Sequence, residues 1–132
     1  MIVLDASAGV ELLLGLPRAA PRLRARLAEA GESVHVPHLF DLEVMAAFRR
    51  HTFRGVLSED RAGRGLNALA DLRATRYPHS ILRARIWELR RNLTPYDAAY
   101  VALAEALGAP LVTTDAALAT APGLAAAIEL HP

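Results

Sequence analysis

Two short apolar runs, over a hundred residues apart, each end at an aspartate and are each followed by a helix-like segment. Residues 2–5 read IVLD and residues 110–115 read PLVTTD. Short apolar runs that give way to helical spacing are typical of buried strands in α/β proteins. The carboxyl ends of parallel strands meet at one edge of a sheet, where such proteins bind ligands. Asp5 and Asp115 are therefore candidates for a shared site.

The rest of the chain also alternates between strand-like and helix-like segments. Helices begin at Ser58, with acids in the next turn, and at Thr94-Pro95, whereas Gly108 marks a helix end. We predict strands at 2–5, 33–37, 76–81, 110–114 and 127–130, and helices at 7–14, 18–30, 38–53, 58–75, 82–92, 94–107 and 116–120. This alternation predicts one α/β domain over residues 1–132, with a central, mainly parallel sheet flanked by helices.

Charge is unevenly distributed along the chain, although the formal net charge is only +1. Residues 49–91 hold eleven arginines and four acids, whereas residues 92–132 hold four acids and no arginine. A basic middle beside an acidic end can attract a polyanion towards a cation-binding site. The absence of cysteine excludes disulfides and thiolate metal ligands. No apolar run reaches the roughly 20 residues that span a bilayer, so we expect a cytoplasmic protein without a membrane segment.

Asp5, Asp97 and Asp115 each have a structural explanation as helix-capping residues. Aspartate at an N-cap stabilises a helix by roughly 1 kcal/mol, and Asp5 and Asp115 both fit that position. Asp97 completes a capping box that begins at Thr94 and has Pro95 at the first helical position. Asp97 also lies at the rim of the predicted buried face of its helix, towards the sheet edge. Capping and a shared site therefore remain alternatives for these three acids.

Glu43 is harder to explain as a structural residue. At about 100° per residue, it falls within the apolar arc of its helix, between Leu39 and Ala47. Burial of a carboxylate costs several kcal/mol unless a positive charge compensates it. There are two candidates for this positive charge, the guanidinium of Arg50 and a metal ion. Asp41 lies on the more polar side of the helix, where we expect it to be exposed to solvent.

The four acids taken together indicate a metal site. Carboxylates gathered at one sheet edge repel one another and raise one another's pKa values, and a divalent cation removes that repulsion. Oxygen ligands without cysteine favour Mg²⁺, with Mn²⁺ as a substitute. Such a site suits phosphodiester hydrolysis, in which the metal activates water and neutralises charge on the phosphate. We assign the five histidines to structural or surface positions.

Three stretches of the sequence resemble the PIN-domain family and, within it, the VapC-type toxins of bacterial toxin–antitoxin pairs. They are MIVLDASAGVELLL at residues 1–14, HLFDLEVMAAFRR at 38–50 and NLTPYDAAYVALAEALGAPLVTTDAAL at 92–118. The third is the most specific, because an acid, an alanine-rich helix and a strand ending in T-x-D occur together. The resemblance covers nearly the whole chain and implies a PIN-like three-layer sandwich.

The resemblance also implies an activity, a Mg²⁺-dependent endoribonuclease that acts as the toxin of such a pair and cuts structured RNA such as tRNA or rRNA. The family's catalytic, metal-binding acids and its supporting polar residues fall on Asp5, Glu43, Asp97 and Asp115, and on Ser7 and Thr113. A homodimer and a cognate VapB-like antitoxin, whose tail lies across the acidic site, are implied as well. Many members carry a further acid or asparagine where this chain has Ala117, so we expect one metal ion at rest.

The basic middle of the chain suggests an RNA-binding surface. The candidates for bidentate contacts to RNA phosphates are Arg49, Arg50, Arg90 and Arg91. A solvated or dimer-facing helix explains the same residues equally well. Trp87, the only tryptophan, lies close to Arg90 and Arg91, and we expect it to pack against the domain rather than stack on a base.

Two enzyme classes of similar architecture do not match these residues. A phosphoryl-accepting receiver domain needs a lysine near its acidic pocket, and the chain has none. A haloacid-dehalogenase-like phosphatase needs an aspartate two residues after the first one, where this chain has Ser7. The alternative that stays open is a catalytically inactive PIN-fold domain that acts as a protein- or RNA-binding partner.

Overall fold

The computed structural model describes residues 1–132 and contains five strands and seven α-helices. The strands are β1 (Ile2–Leu4), β2 (Val34–Pro37), β3 (Ala74–Tyr77), β4 (Leu111–Thr113) and β5 (Ile128–Leu130). The helices are α1 (Ala6–Leu14), α2 (Ala20–Leu27), α3 (Leu39–Phe53), α4 (Glu59–Asp71), α5 (Arg83–Glu88), α6 (Pro95–Leu107) and α7 (Ala116–Ala119). Short 3₁₀ turns flank α5 at His79–Ile81 and Leu89–Arg91.

All five strands are parallel and lie in the order β3-β2-β1-β4-β5. In the central strand, Val3 lies opposite His35 of β2 and Leu111 of β4. The chain runs from β1 outwards to β3 and then returns to place β4 on the other side of β1. Strand order therefore reverses between β1 and β4, and such a switch point is where open α/β sheets form ligand sites. The predicted parallel sheet flanked by helices is confirmed.

The core lies between the sheet and the helices that pack on it. Helix α6 contacts β1, β2 and β4, and its residues Ala98–Ala104 are all buried. Helix α5 packs on α6, whereas α1 packs against α2, α3 and α4. The largest fully buried side chains include Tyr100, Phe40, Ile2, Leu4, Leu23 and Leu103. No helix combines the length and the apolar character needed to cross a membrane.

The contact between α1 and α3 requires a glycine. A Cβ atom at Gly9 would lie 2.6 Å from Cζ of Phe40, which is closer than real Cβ contacts occur. The Phe40 ring is fully buried, so it has little room to move aside. This close approach brings Glu43, one turn after Phe40, beside the start of α1 and hence near Asp5.

The helix predicted at 58–75 is too long, and its last residues belong to strand β3. The helix predicted at 58–75 ends at Asp71, and β3 already begins at Ala74. The reason is a tertiary contact, because Thr75 pairs with His35 of β2. Pairing with a distant strand overrides the local helical pattern in this segment.

Two further predicted helices are shorter than expected, whereas the predicted caps are correct. The helix predicted at 18–30 covers only Ala20–Leu27, and the one predicted at 82–92 is α5 followed by a 3₁₀ turn. Ser58 and Thr94 are N-caps, and their side chains accept hydrogen bonds from the amides three residues later. The caps were predictable because they depend on a local match of side chain and backbone.

Candidate acidic active site

A cavity of about 280 Å³ lies at the carboxyl ends of β1 and β4, where the strand order reverses. All four acids singled out in the sequence line it, although they come from four separate segments. Asp5 follows β1, Glu43 lies in α3, Asp97 lies in the first turn of α6, and Asp115 follows β4. The structure thus brings all four carboxylates into one acid cavity, and no histidine lines it.

Asp5 is the most deeply buried of the four acids, with 5% of its surface exposed. Its Oδ1 accepts hydrogen bonds from Ser7 Oγ at 2.7 Å and from the Ala8 amide at 2.9 Å. Its Oδ2 accepts one from Thr113 Oγ1 at 2.7 Å. Burial raises the pKa of Asp5, the hydrogen bonds lower it in part, and repulsion from Asp115 raises it further. Ser7 and Thr113 therefore hold the central carboxylate of the cavity.

Asp115 serves as a helix cap and as a wall of the acid cavity at the same time. Its Oδ1 accepts hydrogen bonds from the amides of Ala117 at 2.8 Å and Leu118 at 3.3 Å, which caps α7. Asp5 caps α1 in a similar way, through the Ala8 amide. The capping explanation is correct for both residues and does not compete with a shared site, because the cap holds each carboxylate at a strand end.

Asp97 is held by the N-cap of its own helix. The Oγ1 atom of Thr94 accepts a hydrogen bond from the Asp97 amide and donates one to Asp97 Oδ2, both at 3.2 Å. Burial raises the pKa of Asp97, the hydrogen bond from Thr94 lowers it in part, and repulsion from Asp115 raises it further. The capping box predicted from the sequence thus positions one acid of the cavity.

Glu43 is held by Tyr100, a residue to which our sequence analysis assigned no role in the site. The Tyr100 hydroxyl donates a hydrogen bond to Glu43 Oε2 at 2.6 Å. Burial raises the pKa of Glu43, the Tyr100 hydrogen bond lowers it, and repulsion from Asp97 and Asp5 raises it further. Burial also raises the pKa of the Tyr100 phenol, which therefore remains a donor. The available signal was its position three residues after Asp97, on the same side of α6.

Two sequence-based interpretations of α3 are wrong in part. Arg50 lines the acid cavity, but no ion pair joins it to Glu43. Asp41 is not simply exposed to solvent, because its two carboxylate oxygens pair with Arg76 Nε and Nη2 at 2.8 and 2.9 Å. Arg76 lies in β3, the strand whose start was misplaced, so its approach to α3 was not predictable from local spacing.

The atoms that line the acid cavity fit a hard divalent cation. None of the four carboxylates forms an ion pair with a basic side chain. Glu43 Oε1, Asp97 Oδ1 and Asp115 Oδ2 accept no hydrogen bond from the protein. Carboxylate and hydroxyl oxygens are the ligands that Mg²⁺ and Mn²⁺ prefer. No three acid or histidine side chains lie close enough together to coordinate one ion as placed, so direct binding by all four carboxylates would require them to move closer together.

The arginines predicted to bind RNA are all exposed at the surface: Arg49, Arg50, Arg90 and Arg91. The guanidinium of Arg90 lies 4.8 Å from the ring centroid of Trp87. Trp87 is itself 67% exposed, so the prediction that it packs against the domain is wrong. Instead, Ile86 in α5 and Leu89 in the following 3₁₀ turn pack against the core, and the indole lies on the outer side.

Comparison with known proteins agrees with the sequence resemblance. The family model described as PIN domain matches residues 2–124. Ribonuclease VapC1 of Mycobacterium tuberculosis is 47% identical over 129 residues, which cover 97% of this chain and 96% of the relative. Ribonuclease VapC12 of the same organism is 45% identical over 130 residues, or 98% of each chain.

Solved structures share the fold of this chain. PAE2754 from Pyrobaculum aerophilum has a TM-score of 0.69 at 26% identity, over 96% of this chain and 81% of that chain. VapC20 of Mycobacterium tuberculosis, described as a Sarcin-Ricin loop cleaving toxin, has a TM-score of 0.71 over the whole of both chains. Its identity of 18% supports the fold alone. The matched family model and the full-length similarity to VapC ribonucleases show that this chain belongs to the PIN domain family and, within it, to the VapC-type proteins.

Proposed function

We propose that the chain is a divalent-metal-dependent endoribonuclease, the toxin component of a toxin–antitoxin pair, which hydrolyses phosphodiester bonds in RNA such as tRNA or rRNA. The observation that carries the proposal is the convergence of four carboxylates without basic partners on one cavity at the switch point of the sheet. The names of the relatives that match nearly the whole chain, VapC1 and VapC12, support the activity, because both are ribonucleases.

In this proposal the acid cavity holds Mg²⁺, or Mn²⁺ as a substitute, through Asp5, Glu43, Asp97 and Asp115. When bound, the ion supplies an activated water molecule and neutralises negative charge on the scissile phosphate. Ala117, two residues after Asp115, offers no further oxygen ligand. We therefore propose one resident ion rather than two.

The other residues of the cavity position the acids. Ser7 and Thr113 each donate a 2.7 Å hydrogen bond to Asp5, and these two bonds fix the orientation of its buried carboxylate. Tyr100 does the same for Glu43 from across the cavity. Arg50 at the cavity wall has no acid partner, which leaves its guanidinium free for a bidentate contact with an RNA phosphate. Arg49, Arg90 and Arg91 are also exposed and are further candidates for contacts with RNA phosphates.

The proposed protein partners are a VapB-like antitoxin and a second copy of the chain. Family membership supports both, and so do the exposed apolar side chains of Leu42 and Met45, which lie one turn apart on α3. Exposed apolar side chains that gather on one face are typical of protein–protein interfaces.

An RNA cleavage assay with and without divalent metal ions tests the proposed activity. The purified chain is incubated with tRNA and rRNA in Mg²⁺, in EDTA, and in EDTA followed by excess Mn²⁺. We expect cleavage in Mg²⁺, none in EDTA, and recovery in Mn²⁺. Sequencing of the RNA ends then identifies the target bond. Cleavage that the chelator leaves unchanged contradicts the metal mechanism, and RNA binding without cleavage favours the inactive PIN-fold alternative.

A further inference from the structure

The acid cavity extends beyond the four acids, along two helices that begin at the same edge of the sheet. On α3 its lining continues from Glu43 to Arg50, and these two residues lie about 10 Å apart along the helix axis. On α1 the lining continues past the first turn of the helix. We call this extension the alanine arm, and the residues that line it are Ala6, Val10, Ala46, Ala47 and Arg50.

Arg50 is the only basic residue that lines the acid cavity. It forms no ion pair, whereas the guanidinium of the preceding residue, Arg49, lies 4.5 Å from the ring centroid of Phe53. The causes that raise the pKa values of the acids in the cavity do not include Arg50, so its charge lies apart from theirs. The cavity therefore has a negative end that suits a cation and a positive end that suits an anion.

The surface between the two charged ends is apolar. It is lined by the small side chains Ala6, Val10, Ala46 and Ala47. The cavity of about 280 Å³ has about nine times the roughly 30 Å³ that one water molecule takes up in the liquid, so it holds more than an ion. Methyl groups neither donate nor accept hydrogen bonds, so this surface can pack against a sugar or a base without reading base identity.

We propose that the alanine arm binds the nucleotide next to the cleaved bond, and that Arg50 contacts the neighbouring phosphate of the RNA rather than the scissile one. The scissile phosphate belongs at the acid end, where a bound cation neutralises its charge. A single phosphate group is too small to reach both ends of the cavity. RNA supplies a second phosphate beyond one ribose, and Arg50 suits it through bidentate contacts. The inference rests on the proposed ribonuclease function and adds a required second phosphate.

A neutral phosphate analogue identifies the phosphate that Arg50 contacts. A short RNA that spans the bond cut in tRNA or rRNA is prepared with one methylphosphonate linkage, either immediately before or immediately after that bond. We expect one of the two placements to raise the KM of the wild-type chain roughly tenfold, the scale of a hydrogen bond to a charged group. The same placement should have little further effect in Arg50→Ala. If both placements act equally on the wild type and on Arg50→Ala, the two groups are not in contact and the proposal is overturned.

Replacement of Arg50 separates binding of the neighbouring phosphate from catalysis. We expect Arg50→Ala to raise KM for the unmodified RNA roughly tenfold with kcat largely retained. The slope of log KM against log salt should fall by about 0.7, the value of one phosphate contact on a single strand. Arg54→Ala is the matched control, because Arg54 is exposed at the C-cap of the same helix and does not line the cavity. A loss of kcat at unchanged KM places Arg50 on the scissile phosphate and overturns the proposal, as do equal effects in Arg54→Ala.

A larger side chain in the alanine arm tests whether a nucleotide lies there. Ala46 is exposed on α3, and leucine is also a good helix former, so Ala46→Leu fills the arm without disturbing the fold. We expect it to raise KM for the RNA, while the rise in Tm that Mg²⁺ causes stays as in the wild type. Ala70→Leu, at an exposed position of α4 outside the cavity, is the control. An unchanged KM in Ala46→Leu contradicts the proposal.

Two comparisons keep this proposal distinct from the proposed function and from a protein contact. If the wild-type chain cleaves RNA in Mg²⁺ and both Arg50→Ala and Ala46→Leu cleave it equally well, only the assignment of the alanine arm fails. If the wild-type chain cleaves no RNA, the proposed function fails and the assignment with it. Sedimentation of the wild-type chain and of Arg50→Ala is compared in the absence of RNA. A different oligomeric state in the variant assigns Arg50 to a contact between copies and overturns the proposal.

Discussion

The Tyr100 hydroxyl donates a 2.6 Å hydrogen bond to Glu43 Oε2 and joins α6 to α3 across the acid cavity. The two residues are separated by 57 positions in the chain. Burial raises the pKa of Glu43, and the hydrogen bond from Tyr100 opposes this rise because it favours the ionised form. Since the donor is neutral, the negative charge of the cavity remains available to a cation, whereas an arginine in the same place would neutralise it.

Replacement of Tyr100 by phenylalanine removes this donor and keeps the ring. We expect Tyr100→Phe to lower the free energy of unfolding by about 1 kcal/mol, the value of one hydrogen bond. We also expect it to weaken Mg²⁺ binding by about tenfold, because loss of a residue that orients a metal ligand has effects of this size. Denaturant unfolding and the Mg²⁺ dependence of cleavage measure the two effects. Tyr96→Phe is the control, because that exposed hydroxyl makes no hydrogen bond within the protein. The same Mg²⁺ dependence in both variants would show that Tyr100 does not orient Glu43.

Replacement of Asp97 by asparagine tests the metal-binding role of this acid. We expect Asp97→Asn to reduce RNA cleavage by more than about 100-fold, the upper end of losses seen for residues that only support a metal ligand. The fold should be retained, because the cap of α6 uses the Asp97 amide and the Thr94 hydroxyl. Circular dichroism and cleavage assays measure both properties. Asp71→Asn, an exposed acid at the end of α4, is the control. Full activity in Asp97→Asn would exclude Asp97 from the metal ligands.

Divalent cations should stabilise the folded chain. A ligand present at 100 times its Kd adds about 2.7 kcal/mol to the free energy of unfolding. We therefore expect Mg²⁺ or Mn²⁺ to raise the Tm at neutral pH, and Glu43→Gln to reduce that increase. Monovalent salt at matched ionic strength controls for general charge screening. An unchanged Tm with both ions would contradict the metal site and would favour the inactive alternative.

Glu105 should make stability depend on pH in the acidic range. Arg85 donates hydrogen bonds to its two oxygens at 2.6 and 3.1 Å, and the Ala125 amide donates a third at 2.8 Å. These contacts, the Arg85 hydrogen bonds first, lower the pKa of Glu105. Because the folded pKa lies below the unfolded one of about 4.3, the stabilisation is fully present above that pH and is lost as pH falls through the folded pKa.

Unfolding by denaturant across a pH series measures this contribution. We expect Glu105→Gln to lower the free energy of unfolding by about 1–2 kcal/mol at pH 7 and the difference from the wild type to shrink below about pH 4.3. Glu59→Gln, at an exposed position without an ion pair, should change stability by less than about 0.5 kcal/mol. A difference for Glu105→Gln that stays constant down to strongly acidic pH would contradict the linkage.

Replacement by alanine should change stability in opposite directions at Gly9 and at Gly63. Gly9→Ala places a methyl group 2.6 Å from the buried Phe40 ring and should lower the free energy of unfolding by about 1–3 kcal/mol. It should also reduce cleavage, because α3 carries Glu43. Gly63 in α4 has no atom within 4 Å of an added Cβ, so Gly63→Ala should raise stability by up to about 1 kcal/mol. Thermal unfolding compares the two variants, and stabilisation by both would show that the α1–α3 contact relaxes easily.

Four of the five strands and the acids of the cavity were predictable from local patterns. Apolar runs such as those before Asp5 and Asp115 mark buried strands, and Ser58 and Thr94 mark helix starts through capping chemistry. β3 was partly misassigned, because only its pairing with β2 distinguishes it from the preceding helix. A strand at the sheet edge carries a weaker apolar pattern, since fewer of its residues are buried.

The sequence by itself determined the α/β class, the resemblance to the PIN-domain family and the positions of the four acids, because these depend on hydrophobic period, capping and local motifs. Only the tertiary structure decided which groups those side chains contact. Glu43 is paired with Tyr100 rather than with Arg50, and the structure exposes Trp87 where the sequence predicted packing. The physical reason is that such contacts join residues far apart in the chain, whose approach is set by the packing of α3, α5 and α6 around the sheet rather than by the spacing within any one segment.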